Sequence, residues 1–263
     1  MNTTTKIVRY ELRDVLRSRA LIVYALFFFG LTDVLLRFGG GGARAALSLM
    51  NVVLLLIPLV AIVFGTIYLY NAREFTELLL AQPVHRRQLF AGQYLGLALS
   101  LSAAFVTGLG SALALHAGDD VDHLATLVVV AASGILLTLI FTAFATLIVA
   151  RVDDKVKGIG IAIGLWLAGT VLYDGLVMLG LMVFADYPLE RPALAAMIAN
   201  PIDLARVLIL MRLDVSALMG YTGAVFERFV GGTLGLVVAG VALFTWAAVP
   251  ALVGARLFCR KDF

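Results

Sequence analysis

Six long apolar segments, separated by polar stretches, follow one another along the chain. Each approaches or exceeds the roughly 20 apolar residues that an α-helix needs to cross the hydrocarbon core of a bilayer. The pattern predicts an all-α polytopic membrane protein with six transmembrane helices. The predicted spans are Ala20–Phe38, Leu49–Tyr70, Tyr94–His116, Leu124–Ala150, Ile159–Phe184 and Thr233–Phe258.

Two connections between these spans are long, residues 71–93 and residues 185–232. Short loops only join neighbouring helices, so we expect function to concentrate in the long connections and in polar side chains within the bilayer. Residues 185–232 contain an apolar repeat after Pro201, which predicts an amphipathic helix at the outer leaflet or at the mouth of a pathway. Residues 217–229 are interpreted as a second such helix.

An amphipathic pattern precedes the first span. Val8, Leu12 and Val15 recur at helical spacing, and Arg9 and Arg13 lie on another face. Such a helix is expected to lie in the headgroup region of the membrane. The alternative is that these arginines are only the basic flank of a span.

Composition narrows the function classes. The chain has 263 residues, of which 62% are hydrophobic and 14% are charged, whereas soluble domains contain about 45–50% apolar and about 25% charged residues. These values exclude a water-soluble enzyme, a nucleic-acid-binding protein and a disordered chain. Cys259 is the only cysteine and the three histidines are far apart, so we expect neither a disulfide nor a metal site.

The distribution of basic residues predicts orientation. The N-terminal segment, the connection at residues 71–93, the turn after the fourth span and the C-terminal segment hold five, three, three and three of the 20 Lys and Arg residues. The positive-inside rule places these segments, and both termini, in the cytoplasm of a cell whose inner membrane holds the chain. The acidic stretch at residues 118–122 agrees, because it falls on the external side.

The cytoplasmic connection at residues 71–93 contains a short helical pattern. Asn71 is a candidate N-cap, with Glu74 placed to complete a capping box, and Pro83 ends the helix. An apolar stripe on this helix would suit a groove on a partner protein, or it would rest on the membrane surface. The stripe comprises Phe75, Leu78 and Leu79.

Two acidic residues lie well inside apolar runs, Asp33 and Asp174. A charge within the bilayer is costly unless it faces water or a partner, so both are candidates for a translocation path, together with Tyr173. Asp33 has an alternative role as an ion pair with Arg37, one helical turn away. Asp174 has no basic residue one turn away along the sequence.

The stretch from residue 73 to residue 96 resembles the coupling-helix region of type-2 ABC exporter permeases. That pattern has an acidic stretch, two leucines, a small residue, proline and then basic residues. The chain departs from it at Phe75, where glycine is common, and at Gln93, where lysine is common. The resemblance implies that an ATPase would contact or drive Glu74, Phe75, Glu77, Leu78, Leu79, Gln82, Pro83 and Arg86.

Residues 200–203, Asn-Pro-Ile-Asp, followed by Arg206, are similar to the external motif of permeases that belong to nitrous-oxide-reductase maturation exporters. This narrower resemblance implies export of a sulfur- or copper-related species. It also implies a periplasmic protein partner at the external face, contacted by Asn200 and Asp203.

The family resemblance covers residues 1–263 as a single permease domain. It implies a homodimer that binds two copies of a separate P-loop ATPase, with ATP and Mg²⁺ held by the ATPase and no cofactor held by this chain. The sequence contains no Gly-Lys dipeptide, so it cannot form a Walker A loop. We therefore expect a non-catalytic membrane subunit.

Two alternatives come from other function classes. A secondary transporter or channel would operate without an ATPase, but it would need inverted repeats or broken helices around a central site. An intramembrane protease would need a Gly-x-Ser-Gly nucleophile. Its nearest match, residues 131–134, has alanine in the first position.

Overall fold

The computed structural model describes residues 3–38, 42–116, 124–184, 190–213 and 233–261. The predicted acidic connection at residues 118–122 and the predicted second external helix at residues 217–229 lie outside these residues. Within the described ranges the chain is helical and contains no β-strand, which confirms the all-α prediction.

Eleven α-helices account for the described fold, and a π-helical segment joins two of them. In chain order they are α1 (Thr3–Leu16), α2 (Arg19–Phe38), α3 (Gly42–Asn71), α4 (Arg73–Leu80), α5 (Arg86–Leu115), α6 (Leu124–Arg151), α7 (Lys155–Leu167), the π-segment (Ala168–Leu172), α8 (Tyr173–Val183), α9 (Glu190–Ala199), α10 (Pro201–Leu213) and α11 (Thr233–Arg260).

Six helical stretches in the described ranges are long and apolar enough to cross a membrane: α2, α3, α5, α6, the run from α7 to α8, and α11. This matches the predicted number of spans. The largest difference is at the third span, which begins at Arg86 rather than Tyr94. Hydropathy misses this first part because Leu89 and Phe90 are preceded by Arg86, Arg87 and Gln88, although both apolar residues are buried against the rest of the chain.

The bundle is centred on α6, which packs against α3 and α11, while α1 and α2 pack along α5. Lipid supplies no hydrophobic driving force between helices, so close packing of small residues matters more than in water. At Gly108 a methyl group would meet the backbone of Ala25, and at Gly134 it would meet the ring of Phe105. Gly108 therefore allows α5 and α2 to pack closely.

The fifth span differs from the other five. Only 6% of its most apolar stretch is buried, against 56% for α5 and α6. The π-segment interrupts it at Ala168–Leu172, between α7 and α8. The sequence pattern did not predict this interruption, because an added residue in a helical turn leaves hydropathy unchanged. Such π-turns are found mostly at functional sites.

The connection between the fifth and sixth spans holds two helices, α9 and α10, that meet at 107°. The sharp bend falls at Pro201, which cannot continue the preceding helix. The helix after Pro201 does not lie on the surface of the outer leaflet, the first of the two predicted positions, because α10 packs against α3, α6 and α11. Its predicted position at the mouth of a pathway stays a prediction. The helix is buried on several faces: Leu204, Ala205 and Ile209 have no exposed surface.

Candidate functional site

Four segments meet at one end of the bundle, which we call the basic end: α1, α4, the turn between α6 and α7, and the end of α11. Asp153 in that turn joins two of them, since its carboxylate lies 3.2 Å from the Arg73 guanidinium and 2.8 Å from the Lys261 ammonium. Arg86 donates to the Lys261 carbonyl at 2.6 Å. The hydrogen bond from Lys261 lowers the pKa of Asp153, so this ion-pair network persists until the pH falls below the usual range of an aspartate.

One face of α4 is fixed to the rest of the chain. The Phe75 ring stacks on Tyr10 of α1 with 5.3 Å between ring centroids. Leu79 and Leu80 pack against a small cluster that includes Leu89 and Phe258. Two of the three residues in the predicted apolar stripe therefore contact their own chain.

A buried hydrogen bond also anchors α4. The Gln93 side-chain amide donates to the Thr76 hydroxyl at 2.7 Å, and Thr76 in turn donates to the Ala72 carbonyl at 2.8 Å. Thr76 is 4% exposed and Gln93 is 5% exposed. In the sequence, Gln93 is visible only as a departure from the family pattern, and nothing singles out Thr76. The bond between them could not be predicted because the two residues belong to different helices.

Replacing Thr76 with valine is expected to destabilise the protein by about 1–3 kcal/mol, because the buried Gln93 amide loses its partner. Thermal unfolding in detergent measures the effect. Thr245→Val is the matched control, since that hydroxyl is exposed and bonds only within its own helix. Adding Gln93→Leu to Thr76→Val should recover part of the loss, and no recovery would contradict the assigned bond.

The opposite face of α4 is open to solvent. Leu78 is 68% exposed. The exposed residues around it are Glu74, Glu77, Gln82 and Pro83. This face therefore combines one large apolar side chain with a carboxylate rim, which suits a protein partner.

One sequence prediction about this region, the cap at Asn71, needs correction. Asn71 does not cap α4: it ends α3 and accepts a hydrogen bond from Lys155, while the N-cap position is Ala72, which makes no side-chain bond. Arg86 is exposed, but its guanidinium bonds the C-terminal carbonyls of Cys259 and Lys261. Arg86 thus connects the start of α5 to the end of α11.

At the other end of the bundle, a second polar cluster joins the fifth span to α10, and we call it the outer clasp. One nitrogen of Arg206 lies 3.1 Å from the Asp174 carboxylate and 3.0 Å from the Asp203 carboxylate. Asn200 donates to Asp203 at 3.1 Å. The two carboxylates thus share one arginine, and Asp203 also accepts from the Asn200 amide.

Asn200 is the structural centre of the outer clasp. Its side-chain oxygen accepts from the Ile202 backbone, which caps α10, and its amide donates to the Gly169 carbonyl at 2.9 Å. Gly169 lies in the π-segment. Asn200 is 3% exposed. It therefore links the bend between α9 and α10 to the irregular turn of the fifth span.

Asn200→Ala is expected to cost about 1–3 kcal/mol, because it removes a helix cap and an internal hydrogen bond together. Asn200→Ser should cost less, since serine keeps the capping oxygen and loses only the donor to Gly169. The control is Asn71→Ala at an exposed asparagine. Thermal unfolding in detergent ranks the three variants, and equal losses for alanine and serine would show that the capping oxygen contributes nothing.

The intramembrane residues chosen from the sequence all have partners. Asp174, which has no basic neighbour one turn away along its helix, pairs with Arg206 from α10. Tyr173 donates to the Ala196 carbonyl. Asp33 accepts from Arg37 at 3.0 Å, as the alternative interpretation expected, and lies 3.8 Å from a ring nitrogen of His116.

The six spans, the solvent-facing helix at the basic end and the clasped external hairpin define a polytopic membrane permease. The chain belongs to the ABC-2 family transporter proteins, whose sequence pattern it matches over residues 5–263. This places it among the membrane components of ABC transporters.

Two curated relatives are similar over almost their whole length. One, from Pseudomonas aeruginosa, is named "Probable ABC transporter permease protein NosY" and is 29% identical, with 97% of each chain covered. The other, from Stutzerimonas stutzeri, has the same name and is 28% identical, with 99% of each chain covered. Both agree with the predicted permease family.

Proposed function

We propose that this chain is the permease subunit of an ATP-driven exporter, and that a separate P-loop ATPase binds the exposed face of α4. The observation that carries the proposal is the two-sided structure of α4: Phe75 and Thr76 fix its inner face, while Leu78 remains exposed. A helix held in this way passes a push from a partner to the spans behind it.

The proposed mechanism is mechanical. ATP and Mg²⁺ bind to the ATPase pair, whose closure pushes α4. Arg73 and Asp153 connect α4 to the start of the fifth span, and Lys261 connects the same carboxylate to the sixth. Movement of α4 would therefore tilt both spans and reshape a path without covalent chemistry in this chain. No nucleic acid takes part.

We propose an inner-membrane location with both termini in the cytoplasm. The basic end gathers the segments that carry most of the Lys and Arg residues, and this supports the orientation by the positive-inside rule. The ATPase then binds on the side where ATP is available.

The path is proposed to run along the weakly buried fifth span, with Asp174 and Tyr173 near its outer part and Asp33 on the first span. Asp174 and Asp33 are each already paired with an arginine, which lowers the cost of a carboxylate at that depth. Opening of the outer clasp would release Asp174 toward the path. A periplasmic protein partner is proposed at the same end, where Asn200 and Asp203 shape the surface.

The cargo is proposed to be a sulfur- or copper-related species for nitrous oxide reductase maturation. Two observations support this choice: the Asn-Pro-Ile-Asp motif at residues 200–203, and the NosY name shared by both relatives. Met178 and Met182 are exposed on α8, but we assign them to packing rather than to copper.

A homodimer is proposed with the fifth span at its interface. Gly160 and Gly164 lie one turn apart, and a methyl group at either position would contact nothing within 4 Å in the protomer. Such small-residue pairs let two helix backbones approach closely. The dimer would cover the fifth span, which the protomer leaves exposed.

Gly160→Leu combined with Gly164→Leu is expected to leave the protomer folded and to convert most of the dimer to monomer. The reason is that leucine has space in the protomer but would separate two closely packed backbones. Native mass spectrometry in mild detergent measures the ratio of dimer to monomer. Gly110→Leu is the control, since its surroundings are equally open. A dimer that survives the double substitution would place the interface elsewhere.

Affinity purification of the wild-type chain from native membranes tests the proposed function as a whole. The expected result is a co-purified chain with a Walker A motif and ATP hydrolysis in the eluate. A folded permease that brings no ATPase would contradict the proposal and would favour a secondary transporter or channel.

A further inference from the structure

An open groove at the basic end lies outside the site described above. It forms between the start of α5 and the end of α11 and has a volume of about 810 Å³. Its floor is apolar, with Phe90, Tyr94 and Leu252 among the lining side chains. The Tyr94 hydroxyl donates to the Leu139 carbonyl, so the tyrosine offers its ring to the groove and uses its polar group elsewhere.

Three arginines form the rim of this groove: Arg87 from α5, and Arg256 and Arg260 from α11. All three are exposed. In the part of the chain that the structure describes, none of them forms an ion pair with a carboxylate, whereas Arg73 at the same end does. Arg256 and Arg260 are one turn apart on the same helix, an arrangement that is unfavourable without an anion between them.

The groove therefore combines an apolar channel with three arginines that have no carboxylate partner among the described residues, at the end of two membrane spans. This combination matches a phospholipid, whose phosphate lies at headgroup depth and whose acyl chain follows the helices inward. Free phosphate has no apolar part that could contact the apolar floor. A soluble protein partner would not extend along Tyr94 and Leu252, because these residues lead into the membrane-spanning part of the helices.

We infer that this groove binds an anionic phospholipid, with its phosphate between Arg87, Arg256 and Arg260 and an acyl chain along Tyr94 and Leu252. The inference is independent of the proposed transport function. It concerns a lipid held at one position of the bundle, and this lipid would brace the end of α11 against the start of α5.

Native mass spectrometry of the full-length protein tests this inference with two lipids of identical acyl chains, phosphatidylglycerol and phosphatidylcholine. Phosphatidylglycerol is expected to stay bound and phosphatidylcholine to dissociate. Each arginine near an anionic headgroup contributes about fivefold in affinity, so the Arg87→Gln, Arg256→Gln, Arg260→Gln variant should bind phosphatidylglycerol about a hundredfold more weakly. Millimolar inorganic phosphate should not compete.

The matched control is the triple variant Arg9→Gln, Arg13→Gln, Arg17→Gln. It removes three exposed arginines, two from α1 and one from the turn that follows it, and it should retain the lipid. A second variant, Ala255→Leu, keeps every charge but narrows the groove, and it should lose the lipid. Labelling of Cys259 also reports occupancy, because this thiol lines the groove and bound lipid should slow its reaction with a maleimide.

Four outcomes would overturn the inference. The first is that both lipids stay bound equally well, and the second is that the two triple variants lose the lipid equally. The third is that inorganic phosphate displaces the lipid. The fourth is that the Arg87, Arg256, Arg260 variant keeps the lipid but loses a protein that co-purifies with the wild type. Displacement by phosphate would identify a phosphate site, and loss of the co-purified protein would identify a protein interface.

Discussion

Replacing Leu78 with aspartate is expected to separate the permease from its ATPase while leaving the membrane fold intact. Leu78 is the large apolar side chain on the solvent face of α4, and it is 68% exposed in the protomer. A charge placed at the centre of an apolar contact removes the contact and buries an unpaired carboxylate, so the affinity should fall by at least about thirtyfold. Co-purification and ATP hydrolysis measure the loss.

The control for Leu78→Asp is Val156→Asp, at the start of α7. Val156 is 80% exposed and belongs to the same basic end, so the two variants add the same charge to surfaces of similar exposure. Val156→Asp should keep the ATPase. Leu79→Ala should lower the midpoint of thermal unfolding instead, since Leu79 packs inward. If both aspartate variants lose the ATPase equally, the contact is not located on α4.

Replacing Arg206 with leucine is expected to open the outer clasp and to stop transport. The substitution leaves Asp174 and Asp203 facing each other without the cation that both contact. Removal of one partner from a buried ion pair costs about 3–5 kcal/mol, but Arg206 is about one-third exposed, and solvent reduces the expected loss to about 1–3 kcal/mol. Thermal unfolding and transport in proteoliposomes measure the two effects.

Two further variants make the Arg206 prediction specific. Arg191→Leu removes an exposed arginine from the neighbouring α9 and should change neither readout. Asp174→Asn combined with Arg206→Gln removes both charges, and this pair should be more stable than Arg206→Leu alone. If Arg206→Leu transports normally, the outer clasp has no role in the path.

Hydropathy alone was sufficient to predict the six spans, because a bilayer admits only helices whose backbone groups are satisfied internally. It could not predict how deeply each helix is buried by its neighbours. The helix after Pro201 looked amphipathic, yet α10 is buried between three other helices. In a membrane protein both lipid-facing and protein-facing sides are apolar, so the usual contrast between surface and core is lost.

Only part of the candidate site could be predicted, because the sequence pattern shows neighbours along one helix but not contacts between helices. The segment around Leu78 could be chosen from local spacing and from its resemblance to the family. The contacts that fix it could not, since Gln93 reaches Thr76 and Tyr10 reaches Phe75 across separate helices. Asp174 looked unpaired because its arginine lies 32 residues further along the chain. Helical spacing in the sequence identifies only pairs of residues that lie within one or two turns of each other.

The most direct test of the central claim is site-specific photo-cross-linking from position 78 in native membranes. The account predicts a covalent product between this position and a chain that carries a Walker A motif. Position 182, at an exposed methionine on α8 near the opposite end, should give no such product. An ATPase captured from position 182 but not from position 78, or no ATPase from either, would contradict the account.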